Sequence, residues 1–273
     1  MNSSRTERIV IAALLAGYSF VALFPIAWMI TSSFATDREL MGGAVFPIGS
    51  AGIGNYLRAF HERPFTLYLF NSIFAALVSV AITLVLGTAA AYAFSKLQSR
   101  WTEILWYAVL ASIMIPLEAI VIPLFLQVHA LNMQDSYPGI VLPTALNAAG
   151  IFVLRQAIHA IPDELFEAAR MDGADELTIL GRIIVPLIGS SLMVVAILTF
   201  SLSWNSYLWP LIVTSNDSLR TLPLGMAAFQ MTLNTRYSEI MAVSVFGTLP
   251  MALLFAFFQR YFLDSAIGTA VKG

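Results

Sequence analysis

Residues 164–186 read ELFEAARMDGADELTILGRIIVP, the longest charge-rich stretch in a chain that is otherwise mostly apolar. Pro162 suits a first helical position, and Asp163 and Glu164 put negative charge in the first turn, where the helix dipole favours it. That helix carries Glu167, Ala168 and Ala169. It stops at Asp172-Gly173, because glycine takes the positive φ of a tight turn without steric cost. Asp175 and Glu176 open a second helix with Leu177, Leu180 and Ile184 on one face, and Pro186 marks where it gives way to the next apolar run. The segment is therefore two short polar helices set between hydrophobic spans.

Composition decides what those spans are. The chain has 273 residues, 59% hydrophobic and only 11% charged, with a mean hydropathy of +0.81. No ordinary soluble domain has this balance, so the protein is integral to a membrane. A net charge of -2 leaves no basic surface to neutralise phosphates, which argues against nucleic acid as a partner. The chain has no cysteine, which excludes disulfides, thiol catalysis and Cys-based metal sites. His61, His129 and His159 lie far apart without ligand spacing and read as loop or helix-end residues.

Six apolar runs are long enough to cross about 30 Å of hydrocarbon. They cover about 9–34, 70–94, 104–126, 137–158, 187–213 and 240–262. Arg5 and Arg8 before the first run, and Ser33-Phe34-Ala35 after it, loosely resemble a signal peptide. The run is too long for an apolar region of roughly 7–15 residues, so it reads as a span. Thr36 to Leu67 follows as a Gly- and Pro-containing loop without a strong helical period. Gly52 and Gly54 do not make a nucleotide loop, because the third glycine and a preceding strand are missing. In the second run, Gly87 to Ala91 are small residues that let neighbouring helices approach closely.

Several polar residues inside the runs are candidates for a solute path. Glu118 lies between Pro116 and Pro123, where a charge in hydrocarbon costs at least about 2.5 kcal/mol, so it faces protein or water. It reads equally as a gate residue or as the cap of a broken helix. Asn147 reads first as an interhelical hydrogen-bonding residue and second as a ligand contact. The cluster Trp204, Asn205, Tyr207 and Trp209 reads as an interfacial aromatic belt or as a ring-stacking face for a sugar. Thr214 to Glu239 is an outer loop whose apolar centre, LPLGMAAFQM, suits a short surface helix. Asp264 to Gly273 reads as a short flexible tail. With both termini inside, nine of the 14 basic residues fall on the cytoplasmic side, in agreement with the positive-inside rule.

The 164–186 segment resembles the signature of membrane subunits of ATP-binding-cassette (ABC) importers. There a Glu-Ala-Ala triplet (the EAA motif) is followed by a spaced glycine and, nine residues later, by Ile-x-Leu-Pro. Glu167, Ala168, Ala169, Gly173, Ile183 and Pro186 stand at that spacing, with Val185 where the family usually has leucine. The resemblance implies an all-α integral membrane protein, a single domain over 1–273, with six transmembrane helices. A cytoplasmic coupling helix between helices 4 and 5, in the loop 161–186, would sit in a groove of an ATPase. Glu167, Ala168, Ala169, Asp172, Gly173 and Ala174 would form that docking surface. The tail, Gly268 to Gly273, resembles that of the smaller maltose-importer membrane subunit, in which it reaches the ATPase. Implied partners are a second homologous permease subunit, two ATPase subunits and an extracytoplasmic solute-binding protein. The implied setting, with lipid around it, is a bacterial or archaeal cytoplasmic membrane.

No G-x-x-x-x-G-K-[ST] loop occurs, so ATP and Mg belong to the partner ATPase, and this chain is expected to bind no cofactor and to catalyse no reaction itself. The solute implied is a sugar or glycerol-type compound. The alternatives are an importer permease for a non-sugar solute or a stand-alone secondary transporter. Against the last stands the lack of two matched discontinuous helices with ionisable residues. A membrane-embedded enzyme would need clustered catalytic groups, and only Glu118 is on offer.

Overall fold

The computed structural model describes residues 5–43, 46–47, 49–97, 99–231 and 236–270, and these are helical with no strand among them. The end of the anticipated tail, 271–273, and positions 232–235 of the outer loop lie outside the described residues. Two compact units divide the chain: Met1–Thr66 with Gly225–Leu249, and Leu67–Leu224 with Pro250–Gly273.

The first unit opens with α1 (Arg5–Ser33), whose apolar stretch Ile9–Ser33 is long enough to cross a membrane and is exposed from Ile9 to Leu23. The loop expected to lack helices contains two. Thr36 and Glu39 form a capping box that starts α2 (Asp37–Met41), the Glu39 carboxylate accepting from the Thr36 amide at 2.7 Å. Gly52, at φ +54°, turns the chain into α3 (Gly54–Glu62). Periodicity alone missed both because they are short and begin at caps. The buried Asn55 amide donates to the carbonyls of Ser33 and Ala35 at 2.8 and 2.7 Å, satisfying acceptors freed at the end of α1.

The second run is longer than expected, a continuous apolar stretch over Phe65–Lys96. It comprises α4 (Phe65–Ile82), a π turn at Thr83–Gly87 and α5 (Thr88–Lys96). The third run is not one straight helix. α6 (Arg100–Ile113) and α7 (Leu117–Ala130) meet at 113°. Pro116, at the N-cap of α7, disfavours helical backbone at the residue before it and so prevents the helix from continuing.

The fourth run bends by 45° between α8 (Tyr137–Ala145) and α9 (Ala148–His159). The π turn of the second run faces this break, where Thr83 Oγ1 donates to the Ala145 carbonyl at 2.5 Å. A carbonyl freed by the bend is thus satisfied from the neighbouring helix, as broken helices in membranes require. Then come α10 (Asp163–Met171), α11 (Glu176–Thr178), a π turn at Ile179–Ile184 and α12 (Val185–Leu187). The chain turns through 83° into α13 (Gly189–Trp204), followed by α14 (Leu208–Val213). Pro186 lies inside α12, two residues before the bend, rather than at it. Among the described residues three helices are long and apolar enough to span a membrane, and six spans result if each bent pair is one.

Two clusters hold the second unit together. One joins α5, α6 and α9 to α10 through Tyr92, Trp106, Leu154, Ile158, Phe166 and Ile179. The other gathers Val128, Ile140 and Val141 around Trp209, whose indole N–H donates to the carbonyls of Gly139 and Ile140, both at 3.1 Å.

The apolar centre of the outer loop is helical, as anticipated, in α15 (Leu222–Gln230). The last run is α16 (Tyr237–Ala270), which continues through most of the tail that was expected to be flexible. In the first unit its opening turn is tied down by charge. Glu239 is 1% exposed and accepts from Arg58 Nε at 2.7 Å and from Arg236 Nη1 at 2.9 Å. Asp37 caps the same turn, accepting from the Ser238 amide at 2.9 Å.

Candidate functional site

The polar connector is two helices around a glycine turn. α10 ends at Asp172, Gly173 sits at φ +81°, and the Asp175 carboxylate caps α11 by accepting from the Thr178 amide at 2.8 Å. Hydrogen bonding from the Thr178 side chain, and then from its amide, holds the Asp175 carboxyl below its ordinary range. α10 is two-faced. Phe166 and Ala169 are buried against the helices beneath, and Ala174 packs at the edge of the same cluster. Glu167, Ala168, Asp172 and Gly173 are exposed on the other side. Of the alanine pair, Ala169 therefore packs within the chain and Ala168 is left for contact outside it. Met171 (88%) and Leu177 (78%) are strongly exposed, and the exposed Glu164 and Glu167 stand two turns and one turn before Met171 on α10.

The connector is fixed to the end of α5. Lys96 Nζ donates to the Ile161 carbonyl at 2.8 Å and to Asp163 at 2.6 Å, and lies 4.5 Å from the Phe166 ring centroid. Its hydrogen bond and charge hold the Asp163 carboxyl below the usual carboxylate range. One turn earlier, Tyr92 donates to Glu176, which also accepts from Arg170 Nε at 3.1 Å and raises the Arg170 pKa. Tyr92 and Lys96 were not singled out from the sequence as connector residues. Their spacing of four, at the end of an apolar run, is the signal that they share a face.

The residues considered for a solute path divide. Asn147 sits at the break in the fourth run, where its carbonyl oxygen caps α9 through the Gly150 amide at 2.6 Å and its amide donates to Thr199 Oγ1 at 2.9 Å. It does make the anticipated interhelical bond, and it also lines a cavity of about 190 Å³ with Ser79, Thr144, Thr199, Ser203 and Ser206. The hydroxyls were missed because serine and threonine in apolar runs draw no attention singly. Glu118 is exposed in the first turn of α7, where the helix dipole favours a carboxylate; its neighbour Leu117 reaches the cavity. Trp204 is 4% exposed and stacks on Phe200 at 5.8 Å, so its ring is interior rather than an open platform or belt. Asn205 closes the end of α13 by donating to the Ser201 carbonyl at 2.8 Å, and Tyr207 is partly exposed. Among the described residues no group of three or more His, Cys, Asp or Glu could hold a metal.

Bent apolar helices, a polar connector and a hydroxyl-lined cavity define a multi-pass membrane protein. Residues 83–265 match the family described as binding-protein-dependent transport system inner membrane component. The arabinooligosaccharides transport system permease protein AraQ of Halalkalibacterium halodurans is 33% identical over 259 residues, 93% of each chain. The lactose transport system permease protein LacG of Rhizobium radiobacter is 32% identical over 265 residues, 97% of each chain. The fold superposes with a TM-score of 0.85 on a chain from the crystal structure of a bacterial ABC transporter involved in import of the acidic polysaccharide alginate. Identity there is 26%, covering 96% of this chain and 99% of that one. The protein belongs to the binding-protein-dependent transport system inner membrane components, the permease subunits of ABC importers.

Proposed function

We propose that this chain forms half of the translocation pathway of an ATP-driven importer for a sugar or glycerol-type solute, and that its connector docks on a separate ATPase. A second homologous permease subunit would complete the path, two ATPase subunits would hold ATP and Mg, and an extracytoplasmic binding protein would deliver the solute. The chain itself would carry no catalytic step and bind no cofactor. Both termini and the connector would face the cytoplasm of a bacterial or archaeal cell.

The observation that carries this reading is the two-faced connector. Phe166, Ala169 and Ile179 anchor it inward, while Glu167, Ala168, Met171 and Leu177 remain exposed on a short rigid body. Large apolar side chains left exposed on a helix that also carries carboxylates suit a groove in a protein better than they suit water. Closure of the ATPase pair would push this body, and the cavity lined by Asn147, Thr199 and the neighbouring hydroxyls would change its access. Neutral hydroxyl and amide groups in a small cavity suit a polyol, which offers donors and acceptors without charge. Carbohydrate names among the relatives point the same way.

Purification from the native membrane tests the reading. A complex with a second permease, two ATPases and a binding protein whose sugar ligand stimulates hydrolysis is the expected result. Met171→Asp together with Leu177→Asp should release the ATPase while leaving the membrane subunits paired. Uptake by this chain alone, driven by an ion gradient, would sink the proposal; stimulation only by a non-sugar ligand would move it to another solute class.

A further inference from the structure

Where α5 and α9 end and α6 begins, a cavity of about 690 Å³ opens, separate from the hydroxyl-lined cavity and outside the exposed face of the connector. Phe94, Trp106 and Tyr107 form apolar walls, Arg155 and Glu103 bring charge to it, and His159 brings an imidazole. Three donors along it lack acceptors among the described residues. The Ser95 hydroxyl is shut off from solvent and has no hydrogen-bond partner among the described residues. Arg155 uses only Nε, donating to the Phe94 carbonyl at 3.1 Å, and its terminal nitrogens have no acceptor among the described residues. His159 makes no side-chain hydrogen bond among them either. The guanidinium does not swing freely, because it is held 4.2 Å from the Trp106 ring centroid. Of these only the Ser95 hydroxyl is buried, while Arg155 is partly exposed and His159 exposed; free donors held at the wall of an open volume mark a place for an acceptor from outside the chain.

The charges narrow what that acceptor is. Arg155 and His159 suit a phosphate, but Glu103 on the same cavity would repel a simple anion. A headgroup with an anionic phosphate and a cationic amine a few bonds apart uses both signs. The setting fits a lipid, since the apolar run Phe65–Lys96 ends beside the cavity and α6 leads from it with Trp101 (73%), Leu105 (55%) and Tyr107 (60%) exposed. Tryptophan and tyrosine beside a span end are at home at headgroup level. The volume lies within the range of about 300–1,000 Å³ in which proteins hold small molecules.

We propose that this cavity binds the headgroup of an aminophospholipid, its phosphate on Arg155 and His159, its ammonium on Glu103, and its acyl chains along α6. Nothing in this depends on which solute the protein imports.

The test uses the full chain with whatever subunits accompany it, exchanged into nanodiscs of equal phosphatidylethanolamine and phosphatidylglycerol, then released into mild detergent for native mass spectrometry. Wild type should retain phosphatidylethanolamine over phosphatidylglycerol by about fivefold or more. Glu103→Gln is the decisive variant, because Glu103 is exposed and the substitution leaves the fold alone. It should bring the ratio to near one while keeping total lipid. Arg155→Gln should lose both lipids, with Arg155→Lys restoring part. Wild type retaining no lipid, or retaining the two equally, would overturn the proposal, as would an unchanged preference in Glu103→Gln. Soluble phosphoethanolamine bound with no lipid retained would overturn the lipid assignment and give the site to a free metabolite.

Discussion

The phenol of Tyr92, on α5, donates to the carboxylate of Glu176, on α11, and the same carboxylate accepts from Arg170 on α10. One carboxylate thus ties both halves of the connector to the end of the second run. A push on the connector would reach that run directly, besides the helices that flank the connector in sequence. A hydrogen bond to a charged group contributes about 1.5–3 kcal/mol, and the half-exposed Glu176 side chain places this one at the low end. Tyr92→Phe keeps the ring against Phe166 and removes only the donor. In reconstituted vesicles it should lower solute taken up per ATP hydrolysed several-fold, with subunit assembly intact. An unchanged ratio would confine the bond to a structural role.

Four residues further along, Lys96 and Asp163 make a second tie whose pH dependence has a definite sign. The Asp163 carboxyl is held below its ordinary value of 3.8 by Lys96, so the folded state favours its ionised form. The stabilisation is fully present above pH 3.8 and is lost as pH falls through the depressed value. Thermal unfolding of the purified complex should show Asp163→Asn melting below wild type at pH 7, with the gap closing as pH falls below 3.8. Between pH 7 and 5 the gap should stay constant. Lys96→Met should cost more than Asp163→Asn, because Lys96 is nearly buried and also serves the Ile161 carbonyl.

Gly173 isolates backbone conformation from packing. Its φ of +81° disfavours other residues, yet a Cβ there would meet nothing within 4 Å. Any penalty is therefore backbone strain, about 1–2 kcal/mol for a residue forced into the left-handed region. ATPase retention by the membrane subunits should fall in the order Gly, Asn, Ala, Val, because asparagine tolerates this region and β-branched residues do not. Full uptake by Gly173→Val would show that the turn angle is irrelevant to coupling.

The connector was legible in the sequence because its signals are local. Pro162, Asp163, Gly173 and Asp175 act through caps and a turn that need no knowledge of the rest of the fold, and all four stand at helix ends in the structure. Hydropathy located the apolar runs but not their shape. The 113° bend depends on how α6 and α7 find separate neighbours, and Pro116 indicates only that a break is permitted. The cavity was the least readable part. Ser79, Thr144, Asn147 and Thr199 come from different helices, and only the bend at Leu146 and Asn147 brings them to one place. Trp204 looked like an interfacial aromatic for a related reason: sequence places a tryptophan near a helix end but does not say which way the helix turns.

Two small residues in neighbouring helices should respond oppositely to the same change. A Cβ on Gly150 would lie 3.0 Å from Asn147 Oδ1, 3.1 Å from Val195 Cγ1 and 3.2 Å from Thr83 Cγ2. All three neighbours are committed, since Asn147 caps α9, Thr83 serves the Ala145 carbonyl, and Val195 is fully buried. Gly150→Ala should therefore push α9 away from the π turn and cost about 1–3 kcal/mol, the usual penalty of overpacking. A Cβ on Gly87 would meet Thr83, Ile151 and Leu146 at 3.6–3.7 Å, which is ordinary contact. Gly87→Ala should be neutral or stabilise by up to about 1 kcal/mol through reduced backbone entropy in the unfolded chain. Melting temperatures of the two variants in the same detergent decide the matter. A Gly150→Ala protein as stable as Gly87→Ala would mean that the break at Leu146 and Asn147 absorbs displacement, and that the bend is compliant instead of locked by Thr83.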